Sequence, residues 1–262
     1  AMVDLYSHRE FTYRDMELRT TSLANGLARN MKVKKGSRVA LLANNTTDYL
    51  EIEFACLKLG AVFVPLNWRL SVPELIYIAS DCNPTVIIYE DIFLEAVEKI
   101  RKGACVPEII ELSGDGSHLS AYEKLIDQSD STIERKTDVT HDDLWIIMYT
   151  SGTTGRPKGA MITHGMTFWN CVNLIKPHHL STDMVNLCVL PLFHTGGLNC
   201  YCNPAVHLGG INVIMRSFDA GDCLKLIHEG EYDISHFLAV PTVFLFMSQH
   251  PLFNETDFRT LK

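Results

Sequence analysis

Eleven residues, Tyr149 to Gly159, read YTSGTTGRPKG and concentrate four aliphatic hydroxyls, three glycines and one lysine. Such a mixture can turn backbone N–H groups and hydroxyls towards an anion, with glycine letting the main chain come close and adopt positive φ. Lys158 adds a mobile point charge able to follow phosphate oxygens through a reaction. The chemistry implied is the holding of a polyphosphate. Spacing separates the stretch from two familiar phosphate loops: a Walker A loop closes on Gly-Lys-Ser/Thr, but here the order is Pro157, Lys158, Gly159, and no GxGxxG fingerprint occurs.

A second group with chemical potential is PLFHTGGL, Pro191 to Leu198, in which an apolar strand end leads to Phe193, His194 and paired glycines. Ser151 does not read as a hydrolase nucleophile, because there is no GxSxG elbow and no evident acid partner for a neighbouring histidine. Cys200 and Cys202 flank Tyr201 in an apolar setting and read as packing residues. The eight cysteines show no CxxC pair and no zinc-type spacing, so they read as small core residues of a reduced protein. His164 and the pair His178 and His179 carry no motif and read as structural.

These groups need a scaffold. The phosphate-binding stretch follows the run LWIIM, which places its donors at the end of a buried strand, where α/β proteins hold ligands. Similar Val- and Ile-rich runs begin at Arg38 (RVALLAN), Ala61 (AVFVPLN), Thr85 (TVIIYE) and Glu108 (EIIEL). Segments of helical period separate them. From Asp48, apolar Ile52, Cys56 and Leu59 share a face, Asp48 and Glu51 offer a cap pair, and Gly60 can end the helix. Ser71, Pro73 and Glu74 open another helix. Beyond Gly159 the pattern continues: a helix over THGMTFWNCVNLIKP with Thr163 as cap and Pro177 as stop, strands at NLCVLP, INVIM and ISHFLAVP, and a helix capped by Asp219. ELSGDGSHLS, Glu111 to Ser120, reads as a surface loop. The fold class expected is α/β, with two stacked, mostly parallel sheets and flanking helices.

Composition excludes several functions. The 262 residues are 47% apolar and 21% charged, enough for a substantial core. A formal charge of -8 gives no general attraction to nucleic acid or anionic lipid, so any anion must be bound locally. No apolar run approaches the roughly 18 residues of a membrane span, and the start AMVDLYSHREFTYRD has no apolar signal core. The expected location is the cytoplasm.

YTSGTTGRPKG closely resembles the phosphate-loop signature of the adenylate-forming (AMP-binding) superfamily, which includes acyl-CoA and aryl-CoA synthetases, luciferases and peptide-synthetase adenylation domains. FTYRDM, GAVFVPLNWRLSVPEL, THGMTFWNCVN and VLPLFHTGGL also resemble their counterparts in fatty-acyl and aryl-CoA synthetases, so the likeness covers nearly the whole chain. The resemblance implies a two-step reaction with ATP, magnesium, a carboxylic acid and coenzyme A. The acid is adenylated with release of pyrophosphate, then passed to the thiol. It also implies that Thr150, Ser151, Gly152, Thr153, Thr154, Gly155 and Lys158 surround the β- and γ-phosphates, that Thr150 is the magnesium position, and that His194 borders the acyl pocket and the reacting carboxylate as the catalytic residue.

The same resemblance implies a division of the chain. Residues 36–175 form a first α/β subdomain with the phosphate loop, and 1–35 together with 176–262 form part of a second whose sheet is incomplete. The family's Tyr-Gly-x-Thr-Glu and Thr-Gly-Asp motifs and its small lysine-bearing domain do not occur in these 262 residues. The expectation is therefore an amino-terminal part of a synthetase, inactive in adenylation alone, with an exposed sheet edge that favours a homodimer. Two alternatives stand beside it: a non-catalytic nucleotide-binding or partner-binding remnant, and an amino-acid adenylation domain, although VLPLFHTGGLNCYC shows no aspartate for a substrate amine.

Overall fold

The computed structural model describes residues 1–132, 138–150 and 155–262. In chain order the regular elements are β1 (Met2–Asp4), β2 (Arg9–Phe11), α1 (Tyr13–Met31), β3 (Arg38–Leu42), α2 (Asp48–Leu59), β4 (Val62–Pro65), α3 (Val72–Cys82), β5 (Val86–Glu90), α4 (Leu94–Ala104), β6 (Glu108–Leu112), α5 (Ala121–Asp127), β7 (Leu144–Thr150) and β8 (Lys158–Thr163). They continue with α6 (His164–Ile175), β9 (Val185–Cys188), α7 (Thr195–Gly197), α8 (Asn203–Leu208), β10 (Ile211–Ile214), α9 (Ala220–Glu229), β11 (His236–Phe237) and α10 (Pro241–Gln249). Contacts divide the chain into two units, one of Arg14–Asn44 and Asp48–Thr167, the other of Ala1–Tyr13, Asn45–Thr47 and Phe168–Lys262.

The first unit is built on a six-stranded sheet in the order β6-β5-β3-β4-β7-β8. All its pairs are parallel except β7 with β8. Strands β4 and β5 are buried along their whole length, which is why their sequences run apolar without alternation. Helix α3 starts where the sequence marks it: the Ser71 N–H donates to Glu74 Oε2 at 2.9 Å, and Asn83 closes the helix in the left-handed region at φ 46. Contacts group Arg14–Asn44 with this sheet, whereas the sequence expectation set residues 1–35 with the other. The tie is Arg19 of α1, whose guanidinium is forked onto Glu51 of α2 and Glu123 of α5. Glu51, expected to form a cap pair with Asp48, serves a three-helix ion cluster.

The second unit carries a five-stranded sheet in the order β11-β9-β10-β1-β2, parallel except for the short β1–β2 pair. Val185, Leu187, Val213, Leu224 and Ile227 form its core with α9 on one face. Asp219 caps α9 as expected, accepting from the Asp222 N–H at 2.9 Å. ISHFLAVP, read as a full strand, keeps only His236 and Phe237 in the sheet, because Pro241 cannot donate to a ladder and instead opens α10. Two polar residues inside the sheet satisfy one another: Asn186 Nδ2 donates to Asn212 Oδ1 at 2.8 Å, and Asn212 Nδ2 donates to the Cys202 carbonyl at 3.0 Å.

Candidate functional site

Strands β3 to β7 all run parallel, so Thr150, the last residue of β7, lies at the carboxyl edge of the six-stranded sheet. There the chain reverses into β8, and the antiparallel register sets Tyr149 opposite Gly159 and Thr150 opposite Lys158. Directly paired side chains of an antiparallel ladder share one face, with Cβ atoms about 5 Å apart. The Thr150 hydroxyl and the Lys158 ammonium therefore flank the mouth of the connection from the same side, and both residues are exposed. Gly155 holds φ +88 with no heavy atom within 4 Å of a Cβ built there, so its backbone, not its surroundings, selects glycine. Ser151, Gly152, Thr153 and Thr154 lie outside the described residues.

Behind the hairpin, His164 opens α6 with its ring stacked on Trp145 at 5.0 Å between centroids and 8° between planes. Burial is the main influence on this imidazole and lowers its pKa. The Trp145 indole in turn donates to the Glu53 carbonyl at 3.1 Å. This is a wall of the fold, in line with the structural reading of His164.

The second predicted group lies in the other unit. After β9 the chain turns at Pro191 and Leu192, and His194 takes an extended backbone at the start of α7 with its side chain exposed. Its Nδ1 accepts from the Gly196 N–H at 3.1 Å. An accepting Nδ1 carries no proton, which leaves Nε2–H as the donor the ring can offer outward. Phe193 beside it is buried.

Asn45, which the motif reading passed over, holds this turn. Buried at 5% exposure, its Nδ2 donates to the Leu190 carbonyl at 2.9 Å and the Met215 carbonyl at 3.2 Å, and its Oδ1 accepts from the Leu192 N–H at 2.9 Å. Three backbone groups that a loop would otherwise leave buried and unpaired are satisfied by one amide. The only sign in the sequence is a polar run, NNTT, directly behind the apolar β3.

The paired glycines of PLFHTGGL differ in what they require. A Cβ on Gly197 would meet the Pro191 carbonyl oxygen at 2.3 Å and the Leu190 carbonyl oxygen at 2.7 Å, whereas on Gly196 the nearest heavy atom is 3.4 Å away. Gly197→Ala is expected to lower stability by about 1–3 kcal/mol by forcing the turn apart. Gly196→Ala should change it by less than about 1 kcal/mol. Urea denaturation of the two variants checks the contrast, and equal costs would contradict it.

Among the described residues, no group of three or more His, Cys, Asp or Glu side chains is placed to hold a metal ion. Six of the eight cysteines are buried, Cys200 is half-buried and Cys105 is exposed.

The AMP-binding enzyme family matches residues 1–262. The chain belongs to the AMP-binding enzyme family. A feruloyl-CoA synthase from an Amycolatopsis species is 37% identical over 251 residues, which cover 96% of this chain and 48% of that protein. An indoleacetate–CoA ligase from Aromatoleum aromaticum is 34% identical over 257 residues, 98% of this chain and 50% of that one. Among solved structures, ATP-bound MatB from Rhodopseudomonas palustris superposes with a TM-score of 0.88 at 26% identity, covering 100% of this chain and 50% of the other. The inhibitor-bound N-terminal domain of FACL13 from Mycobacterium tuberculosis gives 0.88 at 30% identity, covering 100% of this chain and 64% of the other.

The resemblance read from YTSGTTGRPKG and its flanking strings is thus borne out, as is the α/β fold with two helix-flanked sheets. This AMP-binding enzyme chain spans about half the length of the curated relatives it matches. Among its described residues no helix is long and apolar enough to cross a membrane.

Proposed function

We propose that the chain is the amino-terminal part of an ATP-dependent, AMP-forming acyl-CoA or aryl-CoA synthetase acting in the cytoplasm. The observation that carries the reading is the β7–β8 hairpin, which brings the Thr150 hydroxyl and the Lys158 ammonium to one face at the carboxyl edge of a parallel sheet. That arrangement suits a triphosphate tail. In the reaction, a carboxylate oxygen of the acid attacks the α-phosphorus, the bond to the bridging oxygen of the β-phosphate breaks, and pyrophosphate leaves. The coenzyme A thiol then attacks the carbonyl carbon of the acyl-adenylate, loses its proton and displaces AMP. The first step needs no protein nucleophile; it needs charge neutralisation on the leaving phosphates and an aligned carboxylate. Thr150, Ser151, Gly152, Thr153, Thr154, Gly155 and Lys158 would supply the first, and His194 the second through its Nε2–H.

Magnesium would arrive with the nucleotide and neutralise phosphate charge. Thr150 brings one exposed hydroxyl, and a single neutral oxygen suits an ion carried mainly by phosphate oxygens. The identities to a feruloyl-CoA synthase (37%) and an indoleacetate–CoA ligase (34%) favour an aryl-bearing acid as substrate over acetate. Strands β11 and β2 end the second sheet, and an unpaired edge would support a homodimer.

The test is pyrophosphate release from ATP by the full-length protein, across aryl and fatty acids. Turnover with ferulic or indoleacetic acid, and CoA thioester formed when CoA is added, is expected. No pyrophosphate from any acid, with ATP still bound, would favour a non-catalytic nucleotide-binding module; pyrophosphate with amino acids alone would favour an adenylation domain.

A further inference from the structure

The hairpin is not supported by its own strands alone. Tyr149, the residue before Thr150, donates from its hydroxyl to Asp81 Oδ2 at 2.5 Å. Past the turn, the Arg156 guanidinium lies over the Tyr77 ring, 5.6 Å from its centroid. Tyr77 and Asp81 are four residues apart on α3, so they stand one above the other on one helix face. A single turn of α3 therefore receives both flanks of the connection. The helix is a firm platform, since Leu75, Ile78, Ala79 and Cys82 are buried in the core cluster and its first turn is capped through Glu74. Burial, and then the hydrogen bond to Asp81, push the Tyr149 hydroxyl far up from its ordinary pKa, so it remains a donor at neutral pH.

We propose that Tyr77 and Asp81 are positioning residues, which fix Tyr149 and Arg156 on the two flanks of the phosphate loop before nucleotide arrives. The role of the loop rests on the synthetase reading; the anchoring does not. Pre-ordering matters because a loop that must be fixed on binding gives up affinity in proportion.

The experiment reads backbone hydrogen exchange at Gly155 and Arg156 without nucleotide, together with MgATP affinity, in Tyr149→Phe, Asp81→Asn, Tyr77→Leu and Tyr77→Phe. Removing a hydroxyl bonded to a carboxylate should speed exchange at both amides about tenfold. Tyr77→Leu should speed it about two- to fivefold through the lost cation–π contact, and Tyr77→Phe, which keeps the ring, should restore the wild-type rate. Amides of β10 should be unmoved in every variant, which separates local anchoring from a general loss of stability. The Tyr149→Phe/Asp81→Asn double variant should be no worse than either single one. Faster exchange with MgATP binding weakened in step supports the proposal. Faster exchange in a protein that binds no MgATP upholds the anchoring while sinking the phosphate reading. Unchanged exchange in all four variants overturns it.

Discussion

Lys158→Ala is expected to weaken MgATP binding about ten- to hundredfold, the range for a lost hydrogen bond to a fully charged group. Lys158 starts β8 opposite Thr150, so its ammonium is delivered to the loop mouth by strand pairing and not by a flexible tail. The effect should depend on which phosphates the ligand carries. ATP and tripolyphosphate should lose affinity together, whereas AMP, which has no β- or γ-phosphate, should bind the variant and the parent alike. Lys158→Arg should recover part of the loss, because the charge is kept but a planar fork replaces a compact point charge. Replacing Lys102, exposed on α4, should leave affinity unchanged and controls for net charge. Isothermal titration at fixed ionic strength makes the measurement, since phosphate contacts weaken with salt. Equal losses for ATP and AMP would place Lys158 elsewhere than on the phosphate tail.

The largest stability effect should come from Arg19. Its Nε and Nη2 donate to the two oxygens of Glu51 at 2.8 and 2.9 Å, and Nη1 and Nη2 donate to those of Glu123 at 3.0 and 2.7 Å. The side chains of Glu51 and Glu123 are only 0% and 3% exposed. Tyr122 adds a donor to Glu51 Oε2 at 2.9 Å. Burial on its own works to lower the pKa of the guanidinium, but the charge of Glu51 and the bonds to both carboxylates outweigh it and hold the group firmly protonated. Arg19→Met would take away the cation that these two buried carboxylates share, at a cost of about 3–5 kcal/mol. The triple change Arg19→Met, Glu51→Leu, Glu123→Leu should recover most of that loss, because an apolar cluster of similar volume needs no pairing. Urea midpoints at pH 7 decide: a single variant within about 0.5 kcal/mol of the parent, the size of an ordinary surface change, would mean the cluster contributes nothing to holding α1, α2 and α5 together.

The elements legible in the sequence share a cause. Strands β3, β4, β5 and β7 read clearly because burial on both faces leaves unbroken Val, Ile and Leu runs, and α3 and α9 read clearly because Ser71, Glu74 and Asp219 mark their starts. Strand β8 was hidden. Its residues KGAMIT lie at a sheet edge with none of them buried, so they show neither an apolar run nor strict alternation, and Thr163 caps the helix that follows, accepting from the Met166 N–H at 3.2 Å. Helix α8 was hidden as well, since its six residues, Asn203–Leu208, are too few to show a helical period. At the site, YTSGTTGRPKG announced itself by composition. Asn45, Tyr77 and Asp81 could not, because each acts through contacts with residues far along the chain, and no local pattern records those partners.

The hairpin closing at Thr150 and Lys158 is expected to cradle a polyphosphate. Titration of tripolyphosphate into isotopically labelled protein, followed by backbone amide resonances, tests it most directly. Saturable shifts are expected, largest at Thr150, Gly155 and Lys158, with the resonances of β10 and α9 still. Shifts that are absent at these amides, or that are largest in the unit of β9 to β11, would contradict it.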